Sequence, residues 1–355
     1  MNHIIQDQLE FHNVEELQPD PGCHGWKLQR FPEHVRNRLG DKGHTRGRFY
    51  AQRASGCEIR FVTPAKFFAL TLSAQETDTA VFVYRGDFFH SRHELKAGVA
   101  TRLFIEVPPM LSQVKPEMLE GGRFSPEVWR IVFHQDARAV YHGMDTYGQP
   151  VRPPSATEKP RLRWLAYGSS ITFGANALLP GSSYVQHAAR RLGVDVLNKG
   201  LPGSCLCEEV MSDYLCACDP WDFATLELGV NMVELFTPEE FAESARRLIQ
   251  ALHARHPERM IFVINLLPNL ADFPPDAASL PAQRNPVFNQ IIRDLVGEIN
   301  DPLVHLIDGR ELLSDFAGLT VDLVHPSDYG HIAIGEKLAL LTAPRLGIIP
   351  PHANP

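Results

Sequence analysis

The chain reads as two fold classes in series. An all-β sandwich, jelly-roll-like, is expected over residues 1–155, and an α/β domain with a five-stranded parallel sheet over residues 156–355. Three observations predict this: a period-two hydrophobic alternation confined to the first half, a proline-rich break near residue 150, and strand-like runs alternating with helical patterns after it. In the first half Cys57, Ile59 and Phe61 share one face and Phe68, Leu70 and Leu72 another. Stretches 80–84, 103–107 and 128–133 continue the style, separated by turn signals such as Thr63-Pro64 and Arg85-Gly86-Asp87. Short strands without a convincing helix between them imply an antiparallel sandwich.

Residues 148–155, Gly-Gln-Pro-Val-Arg-Pro-Pro-Ser, are poor in apolar side chains and read as the linker. Beyond them five runs, 162–167, 194–198, 223–228, 260–266 and 303–307, have strand character. The best helix covers 239–256, with Phe241, Ala245, Leu248, Ile249 and Leu252 on one face. Thr237, Pro238 and Glu240 supply a capping box with proline at the first helical position, and Pro257 marks the stop. A second helix lines up Phe288, Ile291, Ile292, Leu295 and Ile299. Five strands alternating with helices imply a parallel sheet covered on both faces.

Composition bounds the function. The chain has 355 residues, 44% hydrophobic and 21% charged, an ordinary globular profile. A formal net charge of -8 disfavours nucleic acid and anionic membranes as partners, and no apolar run is long enough to span a bilayer. The opening, Met1 to Asp7, lacks a basic cluster followed by an apolar stretch, so no secretory leader is expected and the cytoplasm is the default location. Of six cysteines, four fall as Cys205-x-Cys207 and Cys216-x-Cys218. That spacing is not the Cys-x-x-Cys of a zinc knuckle, and the thiols read as small apolar side chains rather than ligands. No metal is expected.

In a parallel α/β sheet, residues just past the strand ends line the ligand crevice. Four motifs fall there. Gly168-Ser169-Ser170-Ile171-Thr172 follows the first strand, Gly200-Leu201-Pro202-Gly203 the second, Gly229-Val230-Asn231 the third, and Asp322-Leu323-Val324-His325-Pro326 the fifth. Acyl transfer needs these types. A serine hydroxyl becomes nucleophilic when an imidazole takes its proton, and a carboxylate on the far ring nitrogen fixes the tautomer. The oxyanion needs preorganised donors: the N–H groups of Ser170 and Gly203 and the side-chain amide of Asn231. Each motif alone has a plain alternative, such as Ser170 as a helix cap or Asn231 bonding its own backbone.

Together, the four blocks resemble the SGNH (GDSL-type) hydrolase family across residues 161–346. The resemblance implies a flavodoxin-like hydrolase domain with Ser170 as nucleophile, His325 and Asp322 completing the triad, and Gly203 and Asn231 as oxyanion donors. Ser169 stands where Gly-Asp-Ser members carry aspartate, and Met232 where Gly-x-Asn-Asp members carry their last aspartate. A strand-rich domain ahead of such a hydrolase is similar to certain carbohydrate esterases. The expected activity is therefore a serine esterase acting on small acyl groups, O-acetyl on a carbohydrate foremost, without metal or organic cofactor. Its partner is a small-molecule or oligosaccharide ester, with Phe173, Leu323 and Val324 as walls of the acyl pocket. A short-chain lipase or thioesterase, or a carbohydrate-binding protein with a dead hydrolase domain, are the competing classes. Glu227 reads as support for a neighbouring loop, His331 as a solvent-facing or capping residue, His142 with Asp145 and Tyr147 as a packed strand end, and 85–90 as a hairpin tip.

Overall fold

The computed structural model describes residues 4–119, 121–218 and 220–348; residues 1–3, 120, 219 and 349–355, which the two expected domain spans included, lie outside the described residues. Eleven strands come first: β1 (Ile4–Gln6), β2 (Leu9–His12), β3 (Glu16–Asp20), β4 (Gly25–Gln29), β5 (Glu58–Val62), β6 (Phe67–Ala74), β7 (Thr79–Arg85), β8 (Phe88–Leu95), β9 (Thr101–Glu106), β10 (Val128–Phe133) and β11 (Ala139–Asp145). They form two antiparallel sheets, ordered β1-β2-β5-β10-β7-β8 and β3-β4-β11-β6-β9. The alternating apolar side chains meet between the sheets: Ile59 and Phe61 of β5 pack with Phe68, Leu70 and Leu72 of β6 and Trp129 of β10. Phe61, Phe68 and Trp129 make successive edge-to-face contacts at 5.0 Å, the geometry aromatic quadrupoles favour.

Two short helices interrupt these strands, α1 (Glu33–Arg38) and α2 (Arg46–Tyr50). Neither was visible in the sequence, because segments of one to two turns are too short to display a 3.6-residue period. The proline-rich stretch is not free either. Val62 and Arg152 exchange backbone hydrogen bonds of 2.8 and 3.1 Å, fixing it to the edge of β5.

The second half contains β12 (Arg163–Tyr167), α3 (Ser170–Phe173), α4 (Tyr184–Leu192), β13 (Asp195–Asn198), α5 (Glu209–Ala217), β14 (Phe223–Glu227), α6 (Pro238–Arg255), β15 (Met260–Ile264), α7 (Leu280–Ile299), β16 (Val304–Ile307), α8 (Gly309–Leu312) and α9 (Asp328–Thr342). The sheet is wholly parallel, ordered β13-β12-β14-β15-β16, the flavodoxin-like arrangement. Alternation along β12 serves both faces. Trp164 and Ala166 pack with α4 and α9, while Leu165 and Tyr167 join the core under α5, α6 and α7. The capping box of α6 is present in full, and Phe241 of α6 stacks on Phe288 of α7 at 4.1 Å.

The outward face of the six-stranded sheet is charged and nonetheless buried. Arg60 of β5 makes paired hydrogen bonds of 2.6 and 2.8 Å to Asp195 of β13, and its Nε donates to Glu58 at 2.8 Å. Arg130 of β10 reaches the same Glu58 at 2.6 and 2.9 Å. The guanidinium groups outweigh burial and hold the Glu58 and Asp195 carboxyls well below the usual carboxylate range. The sandwich is thereby joined to the parallel sheet at β13, beside the loop that follows it. Burial likewise raises the thiols of Cys57 and Cys207 to about 12, as expected of packed rather than reactive cysteines.

Candidate active site

The nucleophile turn is built by crowding. Gly168 does not take a positive φ; a Cβ there would lie 2.2 Å from Thr172 Oγ1 and 2.6 Å from Glu227 Oε2. Space, rather than the backbone freedom of a sharp turn, is what demands glycine. Ser169 caps α3, its Oγ accepting the Ile171 N–H at 3.1 Å while donating to Glu227 Oε2 at 2.7 Å. The same carboxylate oxygen accepts the Ser169 N–H at 2.7 Å and the Thr172 hydroxyl at 3.1 Å. Burial raises the Glu227 pKa above its ordinary value, against the opposing pull of these hydrogen bonds. Glu227 thus braces the turn, as the sequence suggested. The serine at position 169 is the link to that brace, and Met232 is fully buried in the apolar core.

The second loop is held just as closely. A Cβ on Gly200 would fall 2.3 Å from the Phe173 amide nitrogen, so the loop after β13 rides directly on α3. Asn198 spans the two, donating to Thr172 O at 2.8 Å and accepting the Gly200 N–H at 2.9 Å. Gly203 has φ of 61°, a left-handed conformation suited to glycine. Amino-terminal side chains tie the loop from outside: Arg30 donates to the Asn198 and Gly200 carbonyls at 2.9 and 3.0 Å, and Ser55 to the Phe173 carbonyl at 2.7 Å. Asn231, past β14, turns its Oδ1 to the Cys205 N–H at 3.1 Å. That bond fixes the amide plane and leaves Nδ2 without an acceptor among the described residues. The N–H groups of Ser170 and Gly203 are likewise uncommitted.

Asp322 and His325 sit on a tight turn ahead of α9. The Asp322 carboxylate accepts from Thr320 Oγ1 and from the Val324 and His325 N–H groups, each at 2.9 Å. Its other oxygen lies 2.7 Å from His325 Nδ1, and His325 Nε2 lies 2.7 Å from Ser170 Oγ. Partial burial works upward on Asp322, but the His325 N–H and ring, the Val324 N–H and the Thr320 hydroxyl hold it well below the usual carboxylate range. An ionised Asp322 keeps the ring proton on Nδ1 and presents the Nε2 lone pair to the serine. The arrangement can therefore activate a hydroxyl beside three free donors.

These residues open onto a cavity of about 670 Å³. Phe173 and Val324 line it with Ser170, Gly203, Asn231, Asp322 and His325; Leu323 is not among its lining residues. Leu323 adopts φ of 56°, and its carbonyl accepts the Leu270 N–H at 2.8 Å, so it serves the turn rather than the pocket wall. Sequence reasoning missed one whole wall. His44, Arg46, Tyr50 and Asp136 come from the amino-terminal half, and Asn269, Leu270 and Asn285 from the stretch after β15. No motif flags them; only the docking of the two halves assembles them.

The remaining candidates stand apart. His331 is fully buried rather than solvent-facing: Nε2 lies 2.9 Å from Ala175 O and Nδ1 accepts the Tyr184 N–H at 3.3 Å. It therefore supports the strand-to-helix connections beside the site. His142 bonds Ser73, and Asp145 pairs with Arg102. Among the described residues no group of three or more His, Cys, Asp or Glu side chains stands close enough to hold a metal ion, and no helix is long and apolar enough to cross a membrane.

Comparison with known proteins gives one family match and several likenesses of fold. The family described as GDSL-like lipase/acylhydrolase matches residues 166–333. No curated protein sequence matches the chain. A salicylyl-acyltransferase, SsfX3, from a tetracycline biosynthetic pathway superposes with a TM-score of 0.79 at 16% identity, covering 98% of this chain and 97% of that one. A Bacteroides ovatus protein described as a GDSL-like lipase gives 0.71 at 17%, covering 97% of each. A family two carbohydrate esterase from Cellvibrio japonicus gives 0.61 at 12%, covering 96% of each. At these identities the likeness is one of fold, and it extends over both halves of the chain.

Proposed function

We propose that this chain, a member through residues 166–333 of the GDSL-like lipase/acylhydrolase family, hydrolyses small acyl esters through an acyl-enzyme on Ser170, O-acetyl groups on carbohydrate foremost. One observation carries the reading. Asp322, His325 and Ser170 form an unbroken hydrogen-bonded line of two 2.7 Å contacts, opening onto a cavity shared with Asn231. His325 Nε2 takes the Ser170 proton as Oγ attacks the ester carbonyl. Negative charge develops on the carbonyl oxygen, where the Ser170 and Gly203 N–H groups and Asn231 Nδ2 donate to it. The tetrahedral intermediate collapses, His325 returns its proton to the departing alcohol, and the acyl group stays on Oγ. Water then enters, gives a proton to the same Nε2, attacks the acyl carbon and releases the acid, restoring the serine. Asp322 stays ionised and holds the imidazolium that forms transiently.

The carbohydrate part is supported by the two-domain likeness to a family two carbohydrate esterase and by the polar residues Asn176, Asn269, Asn285 and Tyr50 that line the cavity beside the serine. The test is release of acetate from acetylated mono- and oligosaccharides, alongside 4-nitrophenyl acetate, butyrate and octanoate, with Ser170→Ala as control. Acetate release lost in Ser170→Ala is the expected result. Faster turnover of octanoate than acetate would refute the small-acyl preference, and no turnover of any ester would refute the esterase reading.

A further inference from the structure

The cavity wall supplied by the amino-terminal domain carries a guanidinium that no carboxylate among the described residues pairs with. Helix α2 sits directly on the loop after β13: a Cβ on Gly47 would come 3.3 Å from Ser204 Cβ, and one on Gly203 would come 3.0 Å from both Cδ and Nη1 of Arg46. The Arg46 side chain therefore lies across Gly203, lining the same cavity as Ser170 and His325.

Its neighbours are committed elsewhere. Arg30 donates to the Asn198 and Gly200 carbonyls, Arg48 to the Leu39 carbonyl, and Arg53 to Glu76 and the Asp136 carbonyl. Arg46 makes no hydrogen bond and no ion pair among the described residues. Its contact is the Tyr50 ring, 5.7 Å from Cζ, which steers the guanidinium without neutralising it. Asp136 and Glu234 also line the cavity, but neither pairs with Arg46, and Asp322 is held by His325. A substrate that fills the cavity strips water from Arg46, and a guanidinium so desolvated is costly unless an acceptor replaces that water. The planar fork fits a carboxylate with two parallel hydrogen bonds.

We infer that Arg46 is a specificity residue that receives a carboxylate carried by the ester substrate. The inference rests on the esterase reading of the site and adds a substrate class to it: acidic esters are preferred over neutral ones of the same size. The carboxylate can belong to the alcohol, as in an O-acetylated uronic acid, or to the acyl group, as in a half-ester of a dicarboxylic acid.

The experiment has an arm for each source. O-acetyl galacturonide is compared with O-acetyl galactoside, and 4-nitrophenyl hemisuccinate with 4-nitrophenyl butyrate, in wild type, Arg46→Gln and Arg46→Lys. One arm should show about 10- to 100-fold higher kcat/KM for the acid. That ratio should fall to about one in Arg46→Gln, survive in part in Arg46→Lys, and shrink with added salt. A ratio of one in both arms of the wild type overturns the proposal, as does a preference that persists in Arg46→Gln; neutral esters turned over in either case leave the esterase reading standing. If the wild type turns over no ester, calorimetry with galacturonate and succinate decides: binding lost in Arg46→Gln supports the carboxylate site, and no binding refutes it.

Discussion

Replacing Asn231 separates the bond that its amide makes from the donor role proposed for it. Oδ1 accepts the Cys205 N–H at 3.1 Å, while Nδ2 has no acceptor among the described residues, and Asn231 lines the Ser170 cavity. Asn231→Ala deletes both. Loss of an oxyanion donor lowers kcat by about 100- to 1000-fold, or about 3–4 kcal/mol of transition-state stabilisation. Loss of the acceptor strands the amide of Cys205, a residue 1% exposed, and lowers folding stability by about 1–3 kcal/mol. Asn231→Asp isolates the first effect, since its carboxylate still accepts from Cys205 but presents an oxygen where the oxyanion forms. Its unfolding midpoint should stay near wild type while its kcat falls at least as far as that of the alanine variant. Initial rates on 4-nitrophenyl acetate, corrected with Ser170→Ala, and thermal unfolding of each variant provide the assay. If Asn231→Ala keeps kcat within about threefold of wild type, the donor role is wrong. If Asn231→Asp is fast and Asn231→Ala slow, the residue acts by positioning the loop.

Other consequences follow from the same contacts. Glu227→Ala leaves the Ser169 amide and hydroxyl and the Thr172 hydroxyl without their buried acceptor, so chemical denaturation should show a loss above about 3 kcal/mol; Glu227→Gln, which keeps an acceptor oxygen, should lose about 1 kcal/mol, and equal losses would contradict the bracing role. Arg60→Met strips Asp195 of its paired guanidinium at the junction of the two halves and leaves Glu58 to Arg130 alone; it should cost about 3–5 kcal/mol in urea unfolding, against little change if the network is decorative. Burial keeps His12 and His331 neutral down to about 3 and about 4. The unfolded chain takes up those protons below about pH 6.5 and the folded chain does not, so each histidine lowers stability by about 1.4 kcal/mol per pH unit as pH falls from there towards its folded value. His93, His134 and His305 are shifted in the same direction, burial being the first cause in each. Urea titrations at pH 7, 6 and 5 should show this slope, shallower in His331→Gln; a flat profile would contradict it.

The parallel sheet was legible because its central strands are buried on both faces and are mostly apolar along their length. The stretches read as 162–167, 223–228 and 260–266 differ from Arg163–Tyr167, Phe223–Glu227 and Met260–Ile264 only at their ends. Helix α6 was legible through chemistry as much as period, since Thr237, Pro238 and Glu240 mark its start before any packing is known. The sandwich was legible through alternation on its inner face. Its outer face was not legible: Glu58 and Arg60 alternate with the apolar Ile59 and Phe61 of β5, and nothing in the pattern shows that both are buried. Arg60 of the sandwich pairs across the junction with Asp195 of β13, and neither reveals its partner in a linear sequence. His331 was misread for a related reason. A polar residue in the first turn of α9 suggests exposure, and only the docking of the Tyr184 N–H and the Ala175 carbonyl onto its ring reverses that.

The site itself divides along the same line. The residues proposed to do chemistry are readable because acyl transfer demands particular types at strand ends, so Ser170, Asn231, Asp322 and His325 stand out in order and meet around one cavity. Residues that choose a substrate carry no such demand. Arg46 lies 124 positions before Ser170, on a five-residue helix, and any arginine on a sandwich edge would look alike in the sequence. What singles it out is relational: contact with Gly203 and the absence of an acceptor among the described residues. The two halves are not independent in this respect. Arg30 and Ser55 hold the loops that carry Gly200 and Phe173, while His44, Arg46 and Tyr50 form the facing wall. If the sandwich were only a spacer, weakening the junction at Arg60 would lower stability and leave the ratio of acidic to neutral ester turnover unchanged in the folded fraction. Because the sandwich builds part of the cavity, that ratio should fall together with the junction.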